Sequence, residues 1–151
     1  MIWTPDTIKA RRTMLGLSQR QLASRSGVKQ PLLAAIETGK RLPSAAVSVA
    51  LERALALRPS VALAAKRAEV SSLISKHRGN GAVVFGSVSR AADTVDSDLD
   101  LLVAFDETAD ITDLLALQEE LEALLTVPVD VVSDGTVGAF VPAARVGAVP
   151  L

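Results

Sequence analysis

The spacing of apolar residues changes once along this 151-residue chain, and that change limits the folds open to it. Up to about residue 77 the apolar positions recur at helical intervals, punctuated by Gly, Ser and Pro. Helices are expected over residues 7–15, 18–25, 30–37 and 44–57, with Ser18 as a cap and Gly16, Gly27 and Gly39 as stops. Pro31 falls in a first turn, where its missing N–H does no harm. A longer helix starts at Pro59, with Val70, Leu73, Ile74 and His77 on one stripe. Beyond it the pattern becomes that of strands, at residues 82–85, 98–105 and 127–132. Between the last two lies a helix over 110–125, with Ile111, Leu114, Leu115, Leu121 and Leu125 expected inward. The order predicts an α+β chain: an all-α domain over residues 1–60, then a domain over 61–151 with helices against one sheet. The junction near Pro59 reads as a helix break, and residues 134–151 carry no assignable pattern.

The two parts also differ in charge. Residues 1–66 hold 11 Lys/Arg against three acids, whereas residues 67–151 hold 5 against 14. A basic domain suits a polyanion, and an acidic one is either a solvated surface or a cation site. The absence of cysteine excludes disulfides, thiolate nucleophiles and zinc ribbons. No apolar run approaches the roughly 20 residues of a membrane span, so a cytoplasmic protein is expected, with no membrane partner.

Within the basic part, the segment from Ser18 to Arg41 has the layout of two short helices held by a tight turn at Gly27. Leu22, Ala23, Val28, Leu33 and Ile36 form its inner face, while Gln19, Arg20, Lys29, Gln30, Lys40 and Arg41 stand outside. At these residues the stretch resembles the Cro/repressor (XRE) type of helix-turn-helix, over roughly residues 5–57. The resemblance implies that Gln19 touches phosphate and that the start of the second helix reads bases in duplex operator DNA. Pro31, Leu32, Ala34 and Ala35 stand where relatives usually carry polar residues, so base-edge hydrogen bonding is expected to rest largely on Gln30 and Lys29, with Leu32 able to pack against a thymine methyl.

In the acidic part, Phe85-Gly86-Ser87 closes a buried strand, and Asp98-Leu99-Asp100 comes after ten intervening residues, 88–97. Glycine lets the backbone approach a phosphate closely, and the Ser87 hydroxyl with nearby N–H groups can hold phosphate oxygens. A period of two puts Asp98 and Asp100 on one face of their strand and Leu99 on the other. Asp130 is a single acid inside another apolar strand. Three such carboxylates beside a phosphate-holding turn can bind Mg²⁺, which takes hard oxygen ligands and assists in-line displacement at phosphorus.

This constellation resembles the polymerase-beta nucleotidyltransferase superfamily, and in its compactness the minimal nucleotidyltransferases that act as antitoxins beside HEPN-domain toxins. The resemblance spans roughly residues 66–132. It implies that Gly86, Ser87 and Arg90 hold the nucleotide, that Asp98, Asp100 and Asp130 bind metal, and that Asp130 helps activate the acceptor hydroxyl. Val88 departs from the second arginine found in many relatives. The function so implied is transfer of AMP from ATP to a partner toxin, on tyrosine, by a homodimer or larger toxin–antitoxin complex that represses its own operon. A regulator with a degenerate transferase domain is the alternative, and an enzyme that modifies an antibiotic is disfavoured for want of a further domain.

Overall fold

The structure, a computed structural model, describes residues 3–135 and 147–151, which divide into two compact units at Leu57/Arg58. The first unit is helical: α1 (Pro5–Met14), α2 (Gln19–Ser26), α3 (Gln30–Glu37) and α4 (Ala45–Ala54). Each start has a local cause. Thr4, Ser18 and Ser44 accept hydrogen bonds from the backbone N–H three residues on, and Ser18 and Gln21 make a reciprocal capping box. Gly27 ends α2 in the left-handed region (φ 74°), which a residue with a Cβ adopts only under strain. Ile8, Leu22, Val28, Leu33, Ile36, Leu51 and Leu55 form one buried cluster, so the expected inner face of the α2–α3 pair is the observed one, with Ala23 packed against it. Trp3 lies over the guanidinium of Arg11, 5.2 Å from its ring centre. α4 stops three residues short of the expected end, although Leu55 and Leu57 remain buried.

The second unit contains α5 (Pro59–Lys76), β1 (Gly79–Phe85), α6 (Gly86–Ser89), β2 (Leu99–Phe105), α7 (Ile111–Leu125), β3 (Val129–Ser133) and β4 (Val149–Pro150). The strands form one sheet in the order β3-β2-β1-β4, with β2 and β3 parallel and the other pairs antiparallel. Alternation gives the sheet two faces. Val84, Leu99, Leu101, Val103, Val129 and Val131 share one parity and are buried; α5 and α7 pack against this sheet. Phe85, Asp100, Leu102 and Asp130 share the other.

The inward face of α7 is the expected one only in part: Leu121 and Leu125 face inward as expected, Ile111 and Leu115 do not. Leu117, Leu121 and Leu125 are fully buried, whereas Ile111 and Leu115 are 67% and 57% exposed. At 100° per residue Ile111 and Leu115 lie about 120° and about 160° around the helix from Leu117, so one stripe cannot hold all of them. α6 and β4 are elements the sequence pattern did not supply. Most of the unassigned tail, residues 136–146, lies outside the described residues. Among the described residues no helix is long and apolar enough to cross a membrane.

Candidate functional site

The register of the sheet brings the acidic residues together. Asp100 and Asp130 are directly paired across the parallel β2–β3 ladder, and Asp98 sits two residues before Asp100, just ahead of β2. Asp98 and Asp130 are exposed and Asp100 is half-buried. Burial first, then the neighbouring Asp130 and Asp98 carboxylates, push the Asp100 carboxyl above the usual carboxylate range, with Arg90 pulling the other way. Among the described residues none of these three side chains has an ion-pair partner. Like charges held together without cations are a destabilising arrangement, which a bound cation would reverse.

The turn after β1 closes over this cluster. Phe85 is the register partner of Asp100, so Gly86 lies beside the Asp100 carboxylate. A Cβ on Gly86 would overlap Asp100 Oδ2, and the residue has φ 68°. Only glycine satisfies both conditions. Gly86 opens the single turn α6, in which Ser87 is half-buried and which Arg90 follows, exposed. Asp93, in the loop between α6 and β2, is buried and accepts a hydrogen bond from the backbone N–H of Ser60 at 2.9 Å, in the first turn of α5. Burial pushes its carboxyl up, but the Ser60 bonds and Arg58 outweigh this and hold it below the usual range. Asp93 thus anchors the loop that carries Asp98, a role that sequence spacing did not single out.

Among the described residues no three His, Cys, Asp or Glu side chains converge closely enough to form a ready-made metal cage. Mg²⁺ does not require such a cage, since it keeps several waters and uses one or two carboxylates together with substrate phosphates. The crowded Asp100 and the cradle at Gly86 are the features that suit it.

In the helical unit, Arg20, Lys29, Lys40 and Arg41 are exposed, as expected, but Gln19 and Gln30 are half-buried and bonded. Gln30 Nε2 donates to Gln19 Oε1 at 3.0 Å, and Gln19 Nε2 donates to Glu37 Oε2 at 2.9 Å. Arg12 completes the chain, donating through Nε and Nη2 to the two Glu37 oxygens at 2.6 and 3.0 Å. Glu37 and Arg12 were not among the expected site residues, and nothing in their spacing marks them.

Comparison with known proteins matches both units. The helix-turn-helix family matches residues 8–61, and the polymerase beta nucleotidyltransferase family matches residues 69–136. Two inferred protein adenylyltransferases of Methanocaldococcus jannaschii are each 37% identical over 65 residues, 43% of this chain. The chain spans about two thirds of their length, 66% and 70%. The solved structure of an inferred minimal nucleotidyltransferase is 42% identical with a TM-score of 0.55, covering 61% of this chain and 95% of that one. The chain belongs to the minimal nucleotidyltransferases. A chain from a crystal structure of a toxin–antitoxin with AMP-PNP is 21% identical, with a TM-score of 0.49.

In this minimal nucleotidyltransferase the cluster of Asp98, Asp100 and Asp130 under Gly86 falls inside the matched segment, and the basic surface of α2 and α3 inside the helix-turn-helix segment.

Proposed function

We propose that the acidic unit transfers AMP from ATP to a hydroxyl of a partner protein, and that the basic unit binds operator DNA and represses the operon. The observation that carries the catalytic half is the Asp100–Asp130 register pair beside Gly86. Gly86 and Ser87 would hold the nucleotide's phosphates, assisted by Arg90. Asp98, Asp100 and Asp130 would hold Mg²⁺, which when bound supplies positive charge to the oxygens of an in-line displacement at phosphorus. Asp130, which is exposed, would accept the proton of the attacking hydroxyl. The acceptor oxygen then bonds to the α-phosphorus, the bond to the bridging oxygen breaks, and pyrophosphate leaves.

The partner we assign is a HEPN-type toxin and the acceptor a tyrosine, on the resemblance alone. The sequence contains no tyrosine, so a tyrosine acceptor must lie on another protein. The M. jannaschii relatives, named for adenylylation of proteins, support a protein acceptor over a small molecule. A homodimer, or a larger complex with the toxin, is the assembly we expect on a two-fold operator.

The test is transfer of label. With Mg²⁺, the full chain and the protein encoded beside it, label at the α-phosphate of ATP should pass to the partner, and label at the γ-phosphate should not. Transfer of the γ-label would make the enzyme a kinase. No transfer of either label, with DNA binding intact, would favour the regulator with a degenerate transferase.

A further inference from the structure

Strand β3 lies at one edge of the sheet, with β2 on one side and, among the described residues, no strand on the other. Its even-numbered positions turn their backbone toward β2: the Pro128 carbonyl accepts from the Leu99 N–H, and the Asp134 N–H donates to the Val103 carbonyl, both at 2.9 Å. Alternation therefore points the N–H groups of Val129 and Val131 outward, away from the ladder. Both residues are buried, and a buried N–H needs an acceptor.

Helix α7 supplies the acceptors. The Val129 N–H donates to Glu122 Oε1 at 3.2 Å, and the Val131 N–H to Gln118 Oε1 at 3.4 Å. The spacings match, because four residues of helix rise about 6.0 Å and two residues of parallel strand about 6.6 Å. Acceptors at i and i+4 on the helix thus meet donors two apart on the strand. The two side chains stand where a further strand would stand, and they bracket one residue, Asp130.

Their effect falls on the carboxylate cluster. Asp130 is the register partner of Asp100, and repulsion among the clustered carboxylates works to part β3 from β2. The bonds to Glu122 and Gln118 tie β3 to α7, which packs on both β3 and α5, so the strand is held along both of its sides. We propose that Gln118 and Glu122 are positioning residues: by holding the backbone on either side of Asp130, they keep its carboxylate beside Asp100 in the geometry that AMP transfer requires. The proposal rests on the transferase reading of the acidic unit. It assigns a task to Glu122, an exposed helix carboxylate that patterning alone would leave on a solvated surface.

The test uses the full chain, Mg²⁺, ATP labelled at the α-phosphate and the protein encoded beside it. Gln118→Leu/Glu122→Leu removes both acceptors, whereas Gln118→Glu/Glu122→Gln exchanges them and keeps an oxygen at each position. The leucine pair should lower kcat on the order of a hundredfold, as a misplacement of about 1 Å does, with KM for ATP close to wild type because Asp98, Asp100 and Gly86 are untouched. The exchanged pair should transfer at close to the wild-type rate. In an Asp130→Asn background, already slow, the leucine pair should cause little further loss, since positioning acts only through the Asp130 carboxylate. A leucine pair with wild-type kcat, an exchanged pair as slow as the leucine pair, or an undiminished loss in the Asp130→Asn background overturns the proposal and leaves the transferase reading standing. Should the leucine pair lose ATP binding as well, Gln118→Leu alone decides: it should keep ATP binding and lower kcat about tenfold. An unchanged kcat there, or ATP binding lost there too, overturns the proposal. Asp130→Asn at the wild-type rate removes the role of Asp130 and refutes the proposal with it. If the wild-type chain transfers no label, the transferase reading itself fails, and the positioning role falls with it.

Discussion

Glu37 in the helical unit and Asp100 in the sheet unit are both carboxylates drawn partly out of water, and their surroundings are opposite. The Glu37 side chain is 3% exposed and fully neutralised, by a two-bond pair with Arg12 and a bond from Gln19. Burial works against its charge, but those bonds, with Lys9 adding to them, outweigh it and hold the carboxyl below the usual glutamate range. Asp100 faces Asp130 and Asp98, with Arg90 pulling the other way, and is pushed above the usual range by burial first and then by those carboxylates. The first carboxylate completes its own electrostatics within the fold. The second has no such partner among the described residues, and on the function proposed above a bound cation would complete it.

The largest effect that sharpens the contrast is on activity. Asp98→Ala or Asp100→Ala should reduce AMP transfer on the order of a thousandfold by removing charge that holds the metal, with melting unimpaired. A variant with near wild-type transfer would break the contrast at its functional end. Glu37→Ala should do the reverse, leaving the transferase residues untouched and destabilising the helical unit by about 2 kcal/mol, since half-buried Arg12 loses its partner while keeping its bond to the Leu17 carbonyl. The single tryptophan, Trp3, stacks on Arg11 in that unit, so denaturation followed by its fluorescence reads this unit specifically.

Acid should separate the two carboxylates further. Glu37 has a lowered folded-state value, so its contribution is present above the ordinary glutamate range and is lost as pH falls through the folded value. Asp100 has a raised one, so its charge costs stability above that value, and the cost vanishes below the ordinary aspartate range. In metal-free buffer Asp100→Asn should therefore raise the melting midpoint at neutral pH and leave it unchanged in acid. Glu37→Gln should flatten the acid limb seen by Trp3. A melting midpoint for Asp100→Asn that is lower at neutral pH than the wild-type one would contradict the assignment. The smallest effect concerns α7: Ile111→Ser should change stability by no more than about 0.5 kcal/mol, because that side chain is exposed.

Much of this was legible in the sequence because the signals were local. The bounds of α3 follow from Pro31 in its first turn and Gly39 beyond its end, and Ser18 marks the start of α2. The Gly86–Ser87 turn and the Asp98–Asp100 spacing point to the candidate site before any register is known. What stayed hidden depends on partners far along the chain. The Arg12–Glu37 pair spans 25 residues, and the Ser60–Asp93 cap spans 33. A leucine-rich helix such as α7 offers several stripes, and only the sheet it meets decides among them. β4 is two residues long and exists through its pairing with Val83 and Val84, so period alone could not announce it.

Calorimetric titration of ATP into the full chain, with and without Mg²⁺, tests the central claim without requiring a partner. The wild-type chain should bind ATP tightly only when Mg²⁺ is present, and the Asp98→Ala/Asp100→Ala/Asp130→Ala variant, folded by circular dichroism, should lose that dependence. Equal ATP affinity with Mg²⁺ and with EDTA, or a triple variant that keeps the wild-type response to Mg²⁺, would contradict the assignment of these carboxylates as the metal-binding heart of the site.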